Sequence, residues 1–378
     1  MKPKYTVVVY TPQELNHSSY MQTGLFELEE QGLIKVKVVL SVKKNLGRYK
    51  VSDSGAVVIT SQAAPKTSFY KLIDHKSGQE INFAADLYDF ANQFSQTALN
   101  NCDFYFKRSF ESKFTKQLSE ELQAKIFKLG ITFGNHSEHK HGNTTFKQGL
   151  YLSNLLLNFK KDRSVLTRLI KTYKAQKNHW KFVNTTREIS RFEDYTPATD
   201  TSILFQTRCF LHEDDLDVKQ IHQQRYHIIK LLRDQFPQHF KGGFVSSKIA
   251  VENYKDAITN VPSAPEKYLD VVKKSKIVIY TRGLANSPAW KMAEYLSQGK
   301  VIIAEPLTTE LSVPLIDGRE VLFFRSDTEL IEKINLVLED KGLAAELSRN
   351  ARAYFEAHVH PVQNTKRILE LMLNKTLV

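Results

Sequence analysis

The chain lacks the features that mark several common protein classes. Its 378 residues include two cysteines, Cys102 and Cys209, too few for a disulfide framework. No apolar run is as long as a membrane span or the core of a signal peptide, so we expect a cytoplasmic protein. Neither G-x-G-x-x-G nor G-x4-G-K-[ST] occurs, which argues against a Rossmann dehydrogenase and a P-loop NTPase.

The sequence does contain an excess of positive charge. Its formal net charge is +12, while 42% hydrophobic and 25% charged residues are typical of a folded globular protein. The balance favours negatively charged partners: nucleic acid, an anionic membrane surface or phosphorylated small molecules. The length predicts two domains.

The first part of the chain alternates strand-like and helix-like segments. Strands are predicted at 5–10, 35–40, 56–60, 68–73, 103–107 and 125–131, and helical stretches at 21–31, 83–99 and 113–122. This order predicts a parallel sheet with helices on both faces, an α/β Rossmann-like doubly wound domain over residues 1–145.

A basic segment then interrupts the alternation. Residues 146–195 are helix-like, and Lys160 to Lys181 includes eight Lys or Arg and one Asp, a net charge of +7. Two interpretations remain open: an amphipathic surface that sits on anionic lipid, or a solvated helix face in an insertion between two domains. Alternation resumes in a second Rossmann-like domain at 196–360, and a final helix follows at 361–378.

The segment from Thr281 to Pro306 carries the most specific pattern. A strand ends at Thr281, a glycine-containing loop follows, and a helix is predicted to begin at Ser287 as its N-cap with Pro288 in the first turn. The free N–H groups and the positive end of such a helix form an anion site, and a nucleotide diphosphate suits it.

This segment resembles the donor-binding segment of GT-B glycosyltransferases, in which a Glu stands five residues before a Gly and an apolar strand follows. Here the pair is Glu294 and Gly299. The resemblance implies two Rossmann-like doubly wound domains facing a central cleft, with the final helix crossing back onto the first domain. It also implies that Glu294 accepts hydrogen bonds from the ribose hydroxyls of a nucleotide sugar.

The same resemblance assigns the donor diphosphate to nearby residues. Arg208, which closes the first strand of the second domain, and Arg282 match basic residues that offset leaving-group charge. Asn286 and Ser287 lie at the expected helix start. Many retaining members carry a second Glu where this chain has Asn286, so the resemblance implies neither retention nor inversion.

Acceptor and catalytic residues are expected in first-domain loops that follow strands. We expect a base for the acceptor hydroxyl at Asp74 or His75, directly after the strand at 68–73. Lys107 and Arg108 suit a phosphate, and Gly24 would allow a ligand to approach a helix start. The other residues considered in these loops are Glu14, His17, Asp86 and Asp89.

A metal site is not expected. His136, His139 and His141 form a short polar loop without a carboxylate cluster, and GT-B enzymes typically bind the diphosphate without metal. We therefore expect no cofactor beyond the nucleotide-sugar donor substrate.

The sequence predicts a glycosyltransferase that moves a sugar from a nucleotide sugar to a hydroxyl of a glycan or lipid-linked glycan. We expect a role in bacterial surface polysaccharide synthesis, with the protein in the cytoplasm or peripheral at the inner face of the membrane. No nucleic acid partner is expected, because no nucleic-acid motif accompanies the charge. Two alternatives remain: a basic nucleic-acid-binding protein and a catalytically silent GT-B-like scaffold.

Overall fold

The chain forms two compact units. Unit 1 comprises Met1–Ile189, Glu310–Ser312 and His360–Val378, and unit 2 comprises Ser190–Thr309 and Val313–Val359. The structure is a computed structural model and describes residues 4–11, 13, 18–40, 45–139, 185–211 and 215–377, with positions 170, 174, 177, 178 and 181. The predicted separate segment at 146–195 lies mostly outside the described residues and stays a prediction.

Unit 1 is built on a six-stranded sheet of order β2-β1-β5-β6-β8-β9. The strands of unit 1 are β1 (Tyr5–Thr11), β2 (Lys35–Leu40), β3 (Arg48–Val51), β4 (Val57–Thr60), β5 (Thr67–Asp74), β6 (Glu80–Asp86), β7 (Gln93–Ser95), β8 (Phe104–Lys107), β9 (Ile126–Lys128), β10 (Asn135–His136) and β11 (Arg187–Glu188). Its helices are α1 (Ser18–Glu30), α2 (Gln96–Asn101), α3 (Ser112–Thr115), α4 (Glu120–Gln123) and, at the end of the chain, α12 (Pro361–Leu373).

The prediction of a parallel sheet is wrong for the middle of unit 1. Strand β5 runs antiparallel to both of its neighbours, β1 and β6. The physical reason is the connection: only five residues separate β5 from β6, which suffices for a turn but not for the crossover that a parallel pair needs. The pairs β1–β2, β6–β8 and β8–β9 are parallel.

The helix predicted over 83–99 is also wrong. Residues Glu80–Asp86 form strand β6, and Gln93–Ser95 form β7, which pairs with β3 in a separate sheet of order β4-β3-β7. The segment is buried along most of its length, so its apolar residues do not show the alternation that would distinguish a strand from a helix. Only Gln96–Asn101 is helical, capped by the Ser95 hydroxyl.

The last helix of the chain belongs to unit 1, where α12 packs against α1. Asn364 on α12 donates to the Tyr20 hydroxyl at 3.1 Å and to the Leu129 carbonyl at 2.8 Å. At Gly24 on α1, an added Cβ would lie 2.1 Å from Thr365 Oγ1 and 2.4 Å from the Pro361 carbonyl oxygen. The two helices are therefore close enough that only glycine fits at position 24.

Unit 2 has the regular alternation that the sequence predicts. Its strands are β12 (Ile203–Thr207), β13 (Phe240–Phe244), β14 (Ile277–Tyr280), β15 (Val301–Ala304) and β16 (Leu322–Phe323). Its helices are α5 (Ser190–Glu193), α6 (Leu216–Gln235), α7 (Lys248–Asn253), α8 (Pro265–Lys274), α9 (Trp290–Ser297), α10 (Asp327–Glu339) and α11 (Lys341–Tyr354).

All five strands of unit 2 pair in parallel, in the order β13-β12-β14-β15-β16. Strand order therefore reverses between β12 and β14, and ligands of such sheets bind outside the carboxyl ends of the strands at that point. The core beneath is aliphatic and aromatic, and includes Ile203, Ile277, Ile303 and Leu330, all fully buried. Both units are mixed α/β with parallel strand pairs, which confirms the predicted fold class.

Among the helices that the structure describes, none combines the length and the apolar character required to cross a membrane.

The contact at Gly24 predicts that a Gly→Ala substitution, which usually stabilises a helix, is destabilising at this position. In an open helix, Gly→Ala stabilises by about 1 kcal/mol. At this position we expect Gly24→Ala to destabilise by about 1–3 kcal/mol, because the methyl group collides with a backbone carbonyl of α12. Thermal unfolding measures the difference.

Gly342→Ala is the matched control, since Gly342 is helical and exposed, with only the Asp340 carboxylate within 4 Å of an added Cβ. It should leave the melting temperature unchanged or raise it. A Gly24→Ala variant as stable as Gly342→Ala would contradict the packing of α12 on α1.

Candidate functional site

Charged residues follow three neighbouring strands of unit 2 where each strand ends. Arg208 comes directly after β12, Arg282 lies two residues beyond β14, and Glu305 follows β15. Because the three strands are parallel, these residues lie at one edge of the sheet. The pair Arg208 and Arg282 flanks the point where strand order reverses, the usual place for a ligand. Arg208 is exposed.

Arg225 on α6 connects the residues that follow strands β12 and β14. Its Nη1 donates to the Arg208 carbonyl oxygen at 2.9 Å, and its Nη2 donates to the Arg282 carbonyl oxygen at 3.2 Å. The side chain is 6% exposed, and its Nε has no hydrogen-bond partner among the described residues. Burial lowers the pKa of the guanidinium to about 10, so it stays charged at neutral pH. A buried positive charge thus sits directly behind the strand ends.

The loop between β14 and α9 has an unusual backbone. Ala285 (φ 52°) and Asn286 (φ 59°) both occupy the left-handed region, which costs roughly 1–3 kcal/mol for each non-glycine residue. The exposed Asn286 accepts at its carbonyl oxygen from Thr308 Oγ1 at 3.3 Å. Strain of this kind persists only where surrounding contacts hold it, and it concentrates at functional sites.

The predicted helix start, with Ser287 as N-cap and Pro288 in the first turn, is wrong by two residues. Helix α9 begins at Trp290, and its N-cap is Ala289, which has no capping side chain. Ser287 is buried with extended backbone and closes a turn, since its carbonyl oxygen accepts from Gly283 N–H at 3.0 Å. Ser287 therefore belongs to the loop, and the first turn of the helix lies further along the chain.

Two carboxylates hold Arg282 from different directions. Asp217, in the first turn of α6, accepts from Arg282 Nη1 at 2.5 Å and from the Ala285 N–H at 2.9 Å. Glu305 accepts from the Arg282 N–H at 2.8 Å, and its other oxygen accepts from Gln224 Nε2. The arginine that the sequence singled out is therefore fixed at both its backbone and its guanidinium.

Lys291, the second residue of α9, brings another cation to the same edge. Its Nζ donates to the carbonyl oxygen of Gln206 near the end of β12 and lies 4.6 Å from the ring centre of Tyr268. Burial, together with the positive charges of Arg225 and Arg208, lowers the pKa of this lysine to about 7, against the opposing attraction of Glu294. An incoming anion would favour the charged form.

Glu294 lies on α9 three residues after Lys291, so the two side chains share one face of the helix. It is 6% exposed. The helix ends at Ser297 with Gln298 as its C-cap, and Gly299 follows with φ 49°, as expected for the residue that closes a helix. Glu294 and Lys291 thus place a carboxylate and an ammonium group on the helix that follows the strained loop.

Asp74 and His75 do not lie where a strand-end site would require. Because β5 is antiparallel to β1, Asp74 pairs with Tyr5, at the start of β1 rather than at its carboxyl end. Asp74 accepts from Lys375 Nζ at 2.8 Å, and this contact lowers its pKa well below the usual range. His75 Nε2 lies 2.8 Å from Thr6 Oγ1. The strand before them is antiparallel, contrary to the predicted parallel sheet, and so strong an acid as Asp74 is a poor base.

Lys107 and Arg108 do lie at a strand end, but inside the protein. Lys107 Nζ contacts Asp86 Oδ2 at 2.9 Å and the carbonyl oxygens of Phe90 and Gln93 at 3.1 and 2.7 Å, so all three of its N–H groups have acceptors. Arg108, 2% exposed, pairs with Asp89 at 2.8 Å. These contacts contradict the phosphate role predicted for both residues.

Gly24 does not face a ligand either, because Thr365 and Pro361 of α12 fill the space beside it. In the same unit, His136 lies 3.1 Å from Thr186 Oγ1, and His139 contacts Glu27 at 3.7 Å. No group of three or more metal-ligating side chains occurs within the described part of the chain. His141, Glu14 and His17 lie outside the described residues.

Sequence reasoning set Arg225 aside as a residue that could stabilise its own helix, and it missed Asp217 and Lys291, although each left a signal. Arg225 stands within the buried stripe of α6, together with Val218, Ile221, Ile228, Ile229 and Leu232. A charged residue in an otherwise apolar helical stripe needs a partner inside the protein. Asp217 and Lys291 gave weaker signals, since a charge in a first helical turn is common.

The pKa of Lys291 predicts how stability depends on pH. Because its pKa falls from 10.5 in an unfolded chain to about 7 on folding, the ammonium group opposes folding. This penalty is fully present below about pH 7 and disappears as the pH rises towards 10.5. Lys291→Met removes the group, so we expect its gain in melting temperature over wild type to be larger at about pH 6.5 than at about pH 9.5.

Lys267→Met serves as the control, because Lys267 is exposed on α8 and its removal should produce no such trend. Equal gains for Lys291→Met at both pH values would show that this ammonium group is well solvated.

Comparison with known proteins gives one family-model match, to part of the chain. Residues 225–370 match the family model described as glycosyl transferase-like. A search of curated proteins found no match. The matched range includes Arg282, Lys291 and Glu294.

Several solved structures are similar to the chain. Sucrose-phosphate synthase from Thermosynechococcus elongatus is 16% identical, with 47% of this chain and 46% of that chain covered and a TM-score of 0.34. HepE from Anabaena, solved with UDP and glucose, is 12% identical, with coverages of 74% and 67% and a TM-score of 0.39. A glycosyltransferase from Rickettsia africae is 13% identical, with coverages of 72% and 63% and a TM-score of 0.37.

The chain thus spans less than half of the sucrose-phosphate synthase chain and about two thirds of the other two. Residues 225–370 match the model of the glycosyl transferase-like family, which agrees with the resemblance to GT-B glycosyltransferases noted in the sequence.

Proposed function

We propose that the protein is a glycosyltransferase that binds a nucleotide-sugar donor at the carboxyl edge of the unit 2 sheet. The observation that carries this proposal is the meeting of Arg208, Arg282 and Lys291 at the point where strand order reverses, with Glu294 on the adjoining helix. Cations at this position suit a diphosphate, and a buried carboxylate suits the two vicinal hydroxyls of a ribose.

Each cation has a distinct part in the proposed reaction. Arg208 is exposed and free to reach a phosphate, whereas Arg282 is oriented by Asp217 and Glu305. When the bond between sugar and phosphate breaks, negative charge grows on the leaving diphosphate, and nearby fixed cations stabilise that charge. Arg225 contributes a buried charge that moves little, because two carbonyl groups hold it.

The proposed acceptor is a hydroxyl of a glycan or lipid-linked glycan, in bacterial surface polysaccharide synthesis. The segment from Lys160 to Lys181, with its net charge of +7, supports an anionic membrane surface as a partner. No metal or other cofactor is proposed, because the cations of the chain itself can neutralise the diphosphate.

A ligand screen tests the proposal directly. Melting temperature is measured with UDP, GDP, CMP and dTDP sugars, since a ligand at 100 times its Kd stabilises the native state by about 2.7 kcal/mol. We expect one nucleotide series to raise the melting temperature, and the same sugar nucleotide to be consumed when a glycan acceptor is added.

Other outcomes separate the alternatives. Retention on DNA that is lost at modest salt, without a shift from any sugar nucleotide, would favour a nucleic-acid-binding protein. Binding without transfer to any acceptor would favour a silent scaffold.

Glu294→Ala tests the ribose contact. Loss of hydrogen bonds to a charged acceptor costs about 1.5–3 kcal/mol, so we expect donor affinity to fall by about tenfold or more. Isothermal titration calorimetry measures the affinity, and circular dichroism confirms the fold. The control is Glu332→Ala, an exposed glutamate on α10 of the same unit. Unchanged donor affinity in Glu294→Ala would remove this residue from the site.

A further inference from the structure

The loop that follows β14 is held in a strained shape by a residue far away in the sequence. Ala285 and Asn286 have φ values of 52° and 59°, consecutive left-handed residues without glycine. A chain released from its contacts would leave this conformation, because the left-handed region is unfavourable for side chains with a Cβ. Contacts from outside the loop must therefore maintain it.

Asp217 supplies two of these contacts with one carboxylate. Its Oδ2 accepts from the N–H of Ala285 at 2.9 Å, at the strained turn itself, and its Oδ1 accepts from Arg282 Nη1 at 2.5 Å. One side chain thus couples the backbone of the turn to the guanidinium of an arginine three residues earlier. The coupling spans 65 and 68 residues of sequence.

The position of Asp217 favours its negative charge. Asp217 lies in the first turn of α6, where the helix dipole favours negative charge, and its N–H donates to the carboxylate of the N-cap Asp215 at 2.9 Å. The same helix carries Arg225, which bonds the carbonyl oxygen of Arg282. Helix α6 therefore holds Arg282 at two points, one on the side chain and one on the backbone.

The ion pair with Asp217 occupies only part of the Arg282 guanidinium. A guanidinium has five N–H donors, and the bond to Asp217 uses one nitrogen, Nη1, so a phosphate could still bind at the others. Side-chain exposures of 22% for Arg282 and 32% for Asp217 leave the pair accessible from solvent. This arrangement orients the cation before a ligand arrives.

We propose that Asp217 is a positioning residue, which pre-organises Arg282 and the Ala285–Asn286 turn for the diphosphate of the donor. The inference rests on the proposed function and extends it to a residue that touches neither substrate. Pre-organisation strengthens binding because the ordering of the loop and of a long side chain is already complete before the ligand arrives.

The first test compares two aspartates at one helix end. UDP and GDP are titrated calorimetrically into wild type, Asp217→Ala, Asp217→Asn and Asp215→Ala. Asp215→Ala removes the N-cap of α6 but no contact to the loop, so it controls for a weakened helix. We expect Asp217→Ala to bind the better nucleotide about tenfold more weakly, Asp215→Ala to stay within about twofold of wild type, and Asp217→Asn to fall between, since its amide oxygen can still accept from Ala285.

Three results would overturn the proposal. Asp217→Ala could bind as well as wild type, or lose no more affinity than Asp215→Ala, and neither outcome fits a positioning role. Tighter binding by Asp217→Ala would mean that the ion pair keeps Arg282 away from the phosphate.

A second test needs no nucleotide, so it separates failure of this inference from failure of the proposed function. Trp290 begins α9 directly after the loop, and Trp180→Phe leaves it as the sole tryptophan. In that background, acrylamide should quench Trp290 at least about twofold more efficiently in Asp217→Ala than in Asp215→Ala if Asp217 holds the loop. Equal quenching in the two variants would refute the inference that Asp217 holds the loop. Greater quenching in Asp217→Ala, in a protein that binds neither nucleotide, would support that inference and refute the donor site.

Discussion

The buried guanidinium of Arg225 is the contact on which the site in unit 2 depends. It bonds the carbonyl oxygens of Arg208 and Arg282, the residues that continue two adjacent strands beyond the sheet. A charge so deeply buried is tolerated only when its donors are largely satisfied, and here backbone carbonyls satisfy two of its nitrogens. The bonds fix the spacing of the two strand ends at the point where strand order reverses, which is where sheets of this kind bind ligands.

The electrostatics of this edge follow from that arrangement. Burial, with a smaller contribution from the charges of Arg225 and Arg208, lowers the pKa of Lys291. Arg225 keeps its own charge and makes the edge attractive to anions. Carboxylates are present as well, but Asp217 and Glu305 are directed at Arg282 and its loop. This edge thus combines cations with acids that orient one of them, an arrangement that suits the proposed binding of a diphosphate.

Unit 1 shows how strand direction decides the role of a residue. Asp74 and His75 follow a strand, as sequence reasoning required, yet β5 runs against its neighbours, and both residues lie beside the start of β1. Asp74 there binds Lys375 and ties the end of the chain to the sheet. Lys107 lies at the carboxyl end of a strand but is fully buried, and its ammonium group forms an ion pair with the buried Asp86. Neither distinction can be read from a list of charged residues.

The amino-acid sequence by itself determined the alternation of unit 2, the strand ends near Arg208 and Arg282, and the resemblance of the segment around Glu294 to a donor-binding segment. These features depend on local periodicity and on a short motif. Only the tertiary structure decided the direction of β5, the enclosure of Lys107 and the convergence of Asp217, Arg225 and Lys291 on one edge. Those features arise from pairing and burial between residues tens of positions apart, which local pattern does not record.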